Sequence, residues 1–375
     1  MASVEITRAQ ALSHRVSAQG LDRPTGVDVK DLPVWDLGLQ DSPAGSAALA
    51  LASRVPGGFD AIPDLADPKR FTTVWGTRGA PLTVRSSDVA DLAAALWPID
   101  EADAVSRLSG NGQQFRKNGQ DPIEAIRVTA EAMAGVVDRP MTKGEVSTEV
   151  SAIIPDEYIT WCRGCQAHHL GDQLMRVAGL PAGLRLVPGA TPATLEPIPG
   201  WKRVVHQQVG AEALVRSYLQ LYGPTAAPDV GAYFQTSGKA VSSVWPDGLV
   251  EVRLEGRKAW VPEEDLDDLR GAEPTSGLVR VLPRSDPWLL ARDRELTVPD
   301  AASRKVLWPV IGWPGAVLVD GEVVASWRVK GSGKKVAMTV EPFGKLTKKT
   351  KDEIARESGG IAAQRGVEEL AITYA

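Results

Sequence analysis

The chain has 375 residues, with 42 basic and 47 acidic side chains and a formal net charge of −5. At roughly 100–200 residues per domain, this length predicts two to four modules. No stretch approaches the roughly 18 uninterrupted apolar residues of a membrane span, and residues 1–6 lack the pattern of a signal peptide. Only two cysteines are present, which excludes a disulfide framework and indicates a reducing cytoplasm.

The first 120 residues predict a largely helical module. Thr7 is the expected cap of a helix that ends near Gly20. Ser42-Pro43 predicts the start of a second helix, with proline at its first position, and Gly57-Gly58 predicts its end. The other elements expected here are two strands within 70–85, a helix at 88–97 and a loop at 109–119.

The next 80 residues predict three helices followed by two short strands. Thr142 and Glu145 have the spacing of a capping box at the start of the second helix. The expected elements are helices at 121–137, 142–153 and 164–178 and strands at 184–187 and 193–197.

Residues 209–262 show the same order in a clearer form. A first helical face is apolar, a second helix opens at Pro228-Asp229, and a third spans 238–245. Alternating residues then predict a hairpin that turns at Glu255-Gly256. This is the order of a winged helix-turn-helix, whose third helix, here with Lys239, enters a DNA groove while a wing touches phosphates. The alternative is a winged helix used only for packing or dimerisation.

The last third is richer in strands. The expected strands are 277–282, 316–319, 322–329 and 336–340, with a hairpin turn at Asp320-Gly321 and closing helices near 348–357 and 361–370. The predicted fold is therefore mostly α with β wings (α+β): tandem winged helices followed by a C-terminal β-rich element. The expected modules are 1–120, which holds the candidate active-site motif, 121–200, 201–270 and 271–375.

Charge distribution matters more than the negative total, which by itself argues against nucleic acid. Residues 326–351 carry a net charge of +7, because this segment contains eight basic side chains and one acidic side chain, Glu341. A positive segment on an acidic chain focuses anionic ligands, although a solvated basic surface is an equal alternative. The predicted DNA contacts in this segment and in the preceding wing are Arg257, Lys258, Lys330, Lys334 and Lys335.

Cys162, Cys165 and His169 are the one grouping of metal-ligating types. On a predicted helix they share one side, yet a structural zinc normally draws a second ligand pair from a distant segment. A buried thiol pair on the third helix is the favoured interpretation, so we predict no metal and no cofactor.

Several ordered segments resemble the AlkZ-type winged-helix DNA glycosylases. They are 37–43, 75–79, 278–290, 292–294, 315–321 and 326–328. The resemblance covers nearly the whole chain and implies a DNA-binding face built from tandem winged helices. It implies binding of double-stranded DNA and excision of bulky alkylated bases or unhooking of interstrand crosslinks, in DNA repair or antibiotic self-resistance. It also implies that Arg163, His168 and His169 reach phosphates or base edges.

The catalytic signature of that family is a glutamine, an apolar residue and then glutamine or aspartate. When the chain is aligned on residues 41–43, the three positions of this signature are Gly38, Leu39 and Gln40. Gln40 matches the last position, and Gly38 departs from the first. Leu82 stands where many relatives carry a histidine.

The resemblance makes Gln40 and Asp41 the candidate catalytic residues. An N7-alkylated purine is already cationic, so the site has to position a water and stabilise an oxocarbenium-like sugar. Gln40 would orient the water, and Asp41 or Asp36 would act as base or electrostatic partner. The alternatives are an ordinary helix-entry residue for Gln40 and a helix cap for Asp41.

Two other functions remain open from the sequence. One is a non-catalytic DNA-binding protein, such as a regulator or a lesion-binding shield, and the other is a winged-helix scaffold for a protein partner. DNA binding would weaken steeply with salt, whereas binding of a protein partner would not.

Overall fold

The computed structural model describes residues 4–331 and 336–375. It is a mixed α and β protein, which confirms the predicted fold class. The described residues form two compact units: 4–64, 216–229 and 247–375 make the first unit, and 65–215 and 230–246 make the second. Within the described ranges, no helix is long and apolar enough to cross a membrane.

The helices and strands are numbered here in chain order. The helices are α1 Arg8–Ala18, α2 Ser46–Ala52, α3 Val89–Ala95, α4 Glu101–Leu108, α5 Gly110–Lys117, α6 Pro122–Val136, α7 Lys143–Ser151, α8 Asp172–Gly179, α9 Ala211–Tyr222, α10 Ala227–Phe234, α11 Gly238–Ser242, α12 Leu266–Gly271, α13 Pro287–Leu290, α14 Arg294–Thr297, α15 Ala301–Leu307, α16 Lys348–Glu357 and α17 Gly359–Gln364. The strands are β1 Val4–Ile6, β2 Leu39–Gln40, β3 Phe71–Trp75, β4 Pro81–Arg85, β5 Met141–Thr142, β6 Ile159–Cys162, β7 Ala167–Leu170, β8 Leu184–Leu186, β9 Thr194–Pro197, β10 Leu249–Leu254, β11 Arg257–Pro262, β12 Val279–Leu282, β13 Gly315–Val319, β14 Glu322–Lys330, β15 Ala337–Pro342 and β16 Ala371–Tyr374.

Two helix starts form at the caps that the sequence predicts. Thr7 and Gln10 exchange hydrogen bonds across the first turn of α1, which makes a capping box. Thr142 and Glu145 form the predicted box at α7. Each box satisfies backbone N–H groups that a first helical turn leaves without partners, so local chemistry fixes both starts.

The C-terminal sheet of the first unit follows the predicted strands. Its order is β12–β13–β14–β15–β16, with antiparallel pairing until β16 joins parallel to β15. Asp320 and Gly321 both have positive φ, 53° and 83°, as the predicted hairpin turn requires. The prediction of a helix at 361–370 was wrong in its second half, because α17 ends at Gln364 and the chain returns as β16.

Apolar residues cover both faces of this sheet. Successive side chains of a strand point to opposite faces, so each strand contributes to two cores. One core is Leu49, Val279, Val281, Val317, Trp327, Met338, Val340, Ile354 and Ile361 with their neighbours. The other is Leu12, Val16, Leu21, Leu282, Trp288, Leu289, Leu307, Ala316 and Leu318 with theirs. Helices α2 and α16 thus pack on one side, and α1, α13 and α15 on the other.

The second unit contains the helix-helix-helix-hairpin order, with one addition. Helices α6, α7 and α8 precede the hairpin β8–β9, and β5 pairs with β9. The prediction of one helix at 164–178 was wrong, because the hairpin β6–β7 occupies 159–170 and α8 begins only at Asp172. Gln166 takes a left-handed φ of 52° in the turn, which a helix does not accommodate.

The expected loop at 109–119 is the helix α5. Phe115 is fully buried and anchors it. A Cβ at Gly112 would lie 2.3 Å from the carbonyl oxygen of Val105, so glycine permits a close backbone approach here. At Gly112, a glycine that contributed to the prediction of a loop is therefore a requirement of helix packing.

The same order recurs in α9, α10, α11 and the hairpin β10–β11, as predicted. Thr225, between the first two helices, pairs with Trp260 of the second hairpin strand. Met141 pairs with Leu195 of β9 at the equivalent place in the earlier set. The two sets share an architecture, while the four module boundaries stay a prediction.

A buried ion pair crosses the middle of the first unit. Both nitrogens at the end of Arg54 bind Asp286, at 2.8 and 2.9 Å, and both side chains are fully shielded from solvent. Arg54 also donates to the carbonyl oxygens of Gln19 and Ala50, at 2.9 and 2.7 Å. Asp286 accepts from the backbone N–H of Trp288. The pair therefore joins the end of α1, α2 and the start of α13.

We expect Arg54→Met to lower the free energy of unfolding by about 3–5 kcal/mol, because it leaves the Asp286 carboxylate buried without its counter-charge. Urea unfolding followed by circular dichroism measures the loss. The double variant Arg54→Met/Asp286→Leu should lose less than the single one.

The control is Arg257→Met in the same unit, because its contact to Glu295 is long, at 3.8 Å, and mostly exposed. It should change the free energy of unfolding by at most about 1 kcal/mol. Equal losses in both single variants would contradict a central role for the buried pair.

Candidate functional site

The candidate motif lies in the first unit, at the short strand β2. Leu39 is fully buried, whereas the side chain of Gln40 is partly accessible. Gly38 has a φ of 73°, a left-handed conformation that costs a non-glycine residue about 1–2 kcal/mol. The backbone conformation at position 38 therefore favours the glycine found there over the glutamine of the signature.

Asp41 caps α2 from six residues away. Its Oδ1 accepts a hydrogen bond of 3.0 Å from the backbone N–H of Ala47. Burial raises the pKa of the Asp41 carboxyl, and the N–H groups of Ala47, Gly45 and Ser46 oppose that rise. The prediction of a helix start at Ser42-Pro43 was wrong, because α2 begins at Ser46 behind Gly45, whose φ is 86°. Asp41 supplies the cap that Gly45 has no side chain to provide.

Two segments that carry the family resemblance meet at this point. The Ser285 hydroxyl donates to the carbonyl oxygen of Ser42. From α17, the Gln364 amide donates to the carbonyl oxygen of Gly45 at 2.7 Å, and a Cβ on Gly45 would collide with it. The loop after Gln40 is therefore held from two sides by named hydrogen bonds.

Leu82, at the position where relatives carry histidine, belongs to the core of the second unit. It is buried in β4. A Cβ at Gly76 would lie 2.6 Å from its Cδ2 atom, so the β3–β4 turn closes directly on this side chain. Leu82 packs the hairpin and offers no polar group.

The predicted wing contacts of the first unit line a cavity of that unit. Arg257 and Lys258 lie exposed at the start of β11. Lys258 pairs with Glu251 and lies 4.8 Å from the centre of the Trp260 ring. The cavity measures about 890 Å³, and its charged lining residues are Arg8, Asp229, Glu255, Arg257, Lys258, Arg292, Asp293, Arg294, Glu295, Arg304 and Lys305. Seven cations against four anions leave this cavity net positive.

A second basic group lies at the C-terminal sheet. Lys330 is exposed at the end of β14, opposite Ala337 of β15, while Lys334 and Lys335 lie outside the described residues. Sequence reasoning counted Lys348 and Lys349 in the basic segment without assigning them to a site. They occupy the first turn of α16, which contains no acidic residue.

Lysines at this helix end are unfavourable for the helix itself. The positive end of the helix dipole repels them, by typically about 0.3–1 kcal/mol each. The same dipole attracts phosphate. The basic turn of α16 thus gives up some helix stability, and the same two lysines would favour a bound anion.

The hairpin β6–β7 of the second unit carries three predicted DNA contacts. Arg163 is exposed in its turn, and Lys239 is exposed on α11 of the same unit. In the register, Trp161 faces His168 and Thr160 faces His169. His168 therefore lies on one face, 5.0 Å from the exposed Trp161 ring, and His169 lies on the other. Sequence reasoning missed Trp161, because its exposure is visible only in the structure.

The sequence predicted that Cys162 and Cys165 are a buried pair on a helix, and this prediction was wrong. Cys162 is half-buried at the end of β6, and Cys165 is exposed in the turn. The backbone N–H of Cys165, together with His169 and the Cys165 thiol, lowers the pKa of Cys162 to about 7. This region combines two thiols and an imidazole within a short, exposed hairpin.

Comparisons with known proteins agree with the resemblance. The interstrand DNA cross-link repair glycosylase of Streptomyces sahachiroi is 26% identical over 182 residues, 46% of this chain and 47% of that protein. The match thus spans about half the length of that relative. The solved structure of Streptomyces sahachiroi DNA glycosylase AlkZ has the same fold, with a TM-score of 0.76 at 21% identity over 99% of this chain and 100% of that one. The family model for AlkZ-like DNA glycosylases matches residues 35–363, and the chain belongs to this family.

Proposed function

We propose that this chain is a monofunctional DNA glycosylase that acts on double-stranded DNA in the cytoplasm. Its substrates would be bulky N7-alkylpurine adducts or interstrand crosslinks, in repair or in self-resistance to an alkylating antibiotic. The observation that carries the proposal is the family match over 35–363, which includes the segment of Gln40. The name of the relative, a cross-link repair glycosylase, supports the substrate class.

Gln40 is the residue proposed to orient the attacking water. Gln40 is partly accessible at the end of β2, so a ligand can reach this residue. The leaving purine is cationic, and the chemistry therefore depends on placing water against an oxocarbenium-like sugar. Asp41 would serve as the neighbouring base. Its raised pKa favours that role, because a base works best with a pKa nearer the operating pH.

The proposed DNA contacts are the basic groups of both units. In the first unit they are Arg257, Lys258, Lys330, Lys334, Lys335, Lys348 and Lys349. In the second unit they are Arg163, His168, His169 and Lys239. Phosphate contacts of this kind release counterions, so binding would weaken as salt rises. No membrane interaction is proposed.

The alternative is a DNA-binding protein of this family without chemistry. Two observations favour it: Gly38 replaces the first glutamine of the signature at a left-handed backbone position, and Asp41 is engaged as a helix cap. Binding to the same duplex would then occur without excision.

We expect Gln40→Ala to slow single-turnover excision from duplex DNA carrying N7-methylguanine or a bulkier N7-guanine adduct. The loss of a positioned hydrogen-bonding group should reduce the rate about 10²-fold or more. The amount of abasic product against time measures this rate. The control is Gln114→Ala, the same chemical change on the exposed surface of α5.

Excision that survives Gln40→Ala would keep the enzyme and reject this residue. The absence of product from the unaltered chain, together with salt-sensitive binding, would favour the non-catalytic alternative.

We expect Asp41→Asn to slow excision while the protein keeps its stability. The Asn side chain retains an oxygen for the Ala47 N–H. Because burial raises the folded pKa of Asp41, its protonated form stabilises the protein at low pH, and that contribution is lost as the pH rises through the folded pKa. Neutral Asn mimics the protonated form, so its melting temperature at pH 7 should not fall. Asp41→Ala removes the cap and should cost about 1 kcal/mol.

Thermal melts and excision rates separate the two roles of Asp41. Full activity in Asp41→Asn would leave this residue as a helix cap only.

We expect Lys348→Glu/Lys349→Glu to weaken DNA binding and to raise the stability of α16. Loss of two phosphate contacts should flatten the slope of log K against log salt by about 1.8. The same change removes two unfavourable charges from the helix start and should stabilise it by about 0.3–1 kcal/mol for each lysine. Fluorescence anisotropy over a salt series and thermal melts measure the two effects.

The matched control is Arg116→Glu/Lys117→Glu, which makes the same charge change at the C-terminal end of α5. It should lower stability and leave the salt slope unchanged. Equal slopes for the two double variants would remove α16 from the DNA interface.

A further inference from the structure

The hairpin β6–β7 gathers three metal-ligating side chains on one side. Thr160 pairs with His169 and Cys162 with Ala167 in the register. Since strand residues alternate between faces, Cys162 and His169 share one face. Cys165 approaches the same place from the turn, whose Gln166 has a φ of 52°. The sequence Cys-X-X-Cys is thus bent into a loop that faces a histidine on the opposite strand.

The donor atoms are close to the spacing of a tetrahedral zinc site. One ligand atom from each of Cys162, Cys165 and His169 lies within 4.8 Å of the other two. A zinc–sulfur bond of about 2.3 Å places two tetrahedral sulfur ligands roughly 3.8 Å apart. Side-chain rotations that move the donor atoms by about 1 Å, with Cys165 the exposed one, would therefore bring the three donors to that spacing.

His169 has the hydrogen bonding expected of a metal ligand. Its Nδ1 lies 2.8 Å from the carbonyl oxygen of Leu170, which can only accept, so Nδ1 carries the proton. Its Nε2 is shielded from solvent and makes no hydrogen bond of normal geometry within the described residues, and the Cys162 thiol interacts with the ring. A ligating histidine typically donates its other N–H to such a carbonyl. A metal ion would give Nε2 the partner that burial otherwise denies it.

The local charge and access also suit a divalent ion. Two thiolates carry a charge of −2 and a neutral imidazole carries none, so together they neutralise Zn²⁺. The nearby Lys143 is paired with Asp172 and would therefore not be repelled by a net positive site. Cys165 is exposed, which gives an ion a route from solvent. Among common metals, sulfur and imidazole donors select zinc over magnesium or calcium.

We propose that Cys162, Cys165 and His169 bind one Zn²⁺, with a fourth position open to water or another small ligand. The ion would lock the turn that holds Arg163, which lies between the two cysteines. His168 is not a ligand, because it lies on the opposite face beside Trp161, and it stays a proposed DNA contact. His169, with both ring nitrogens engaged, would then act on DNA only through the turn that the ion holds. Zinc binding is independent of glycosylase activity and is measured on the free protein.

The test is the zinc content of the full chain, purified under reducing conditions without chelator and supplied with equimolar zinc. Mass spectrometry of the metal should find one zinc per chain. Replacement by Co²⁺ should give the sulfur-to-cobalt charge-transfer absorption of thiolate ligands. Zinc removal should speed hydrogen exchange of the amides at 163–166, because the ion no longer holds the turn.

Cys162→Ser, Cys165→Ser and His169→Asn should each lose the bound zinc, and His168→Asn should keep it. Circular dichroism of each variant checks that the fold is kept, so that loss of zinc is not loss of structure. Unaltered protein that is reduced, folded and free of zinc after reconstitution would overturn the proposal. So would zinc that persists in the three ligand variants.

Discussion

The first unit depends on the ion pair between Arg54 and Asp286. A guanidinium and a carboxylate that are both fully buried must neutralise each other, because either charge alone would be costly to keep out of water. Arg54 also holds the carbonyl oxygens of Gln19 and Ala50, so one side chain fixes the end of α1 and the body of α2. Ser285, the neighbour of Asp286, holds Ser42. The segment after Gln40 is thereby anchored to the centre of the unit.

This arrangement fixes α2 at both ends. Asp41 satisfies an N–H group at its start, and Arg54 follows its last turn into the core. Gln40 therefore lies on a short strand whose next residue caps a helix that is held at both ends. A side chain that has to place a water molecule benefits from such a rigid support, since misplacement by about 1 Å can cost 10²-fold in rate. The hydrogen bonds of Asp41 and Arg54 stabilise α2, and the same bonds support the segment that contains the proposed catalytic residues.

The sequence predicted what short-range chemistry decides. The capping box of Thr142 and the turn at Asp320-Gly321 are local, so their residues predict them. The start of α2 was missed because its cap, Asp41, bonds across six residues, beyond the usual spacing. The hairpin β6–β7 was missed because the spacing of its cysteines and histidine also fits one face of a helix. The ion pair spans 232 positions, and no local pattern can indicate a contact of that length.

Two unfavourable features of the described residues lie where a proposed ligand would relieve them. Lysines in the first turn of α16 oppose the helix dipole, and a DNA phosphate would convert that repulsion into binding. The Nε2 of His169 is shielded from solvent without a hydrogen bond of normal geometry within the described residues, and a metal ion would bind it. The Arg54–Asp286 pair, by contrast, is complete within the protein and needs nothing from outside. Departures like those at α16 and His169 are expected at functional sites, which supports proposing a phosphate at one position and a metal ion at the other.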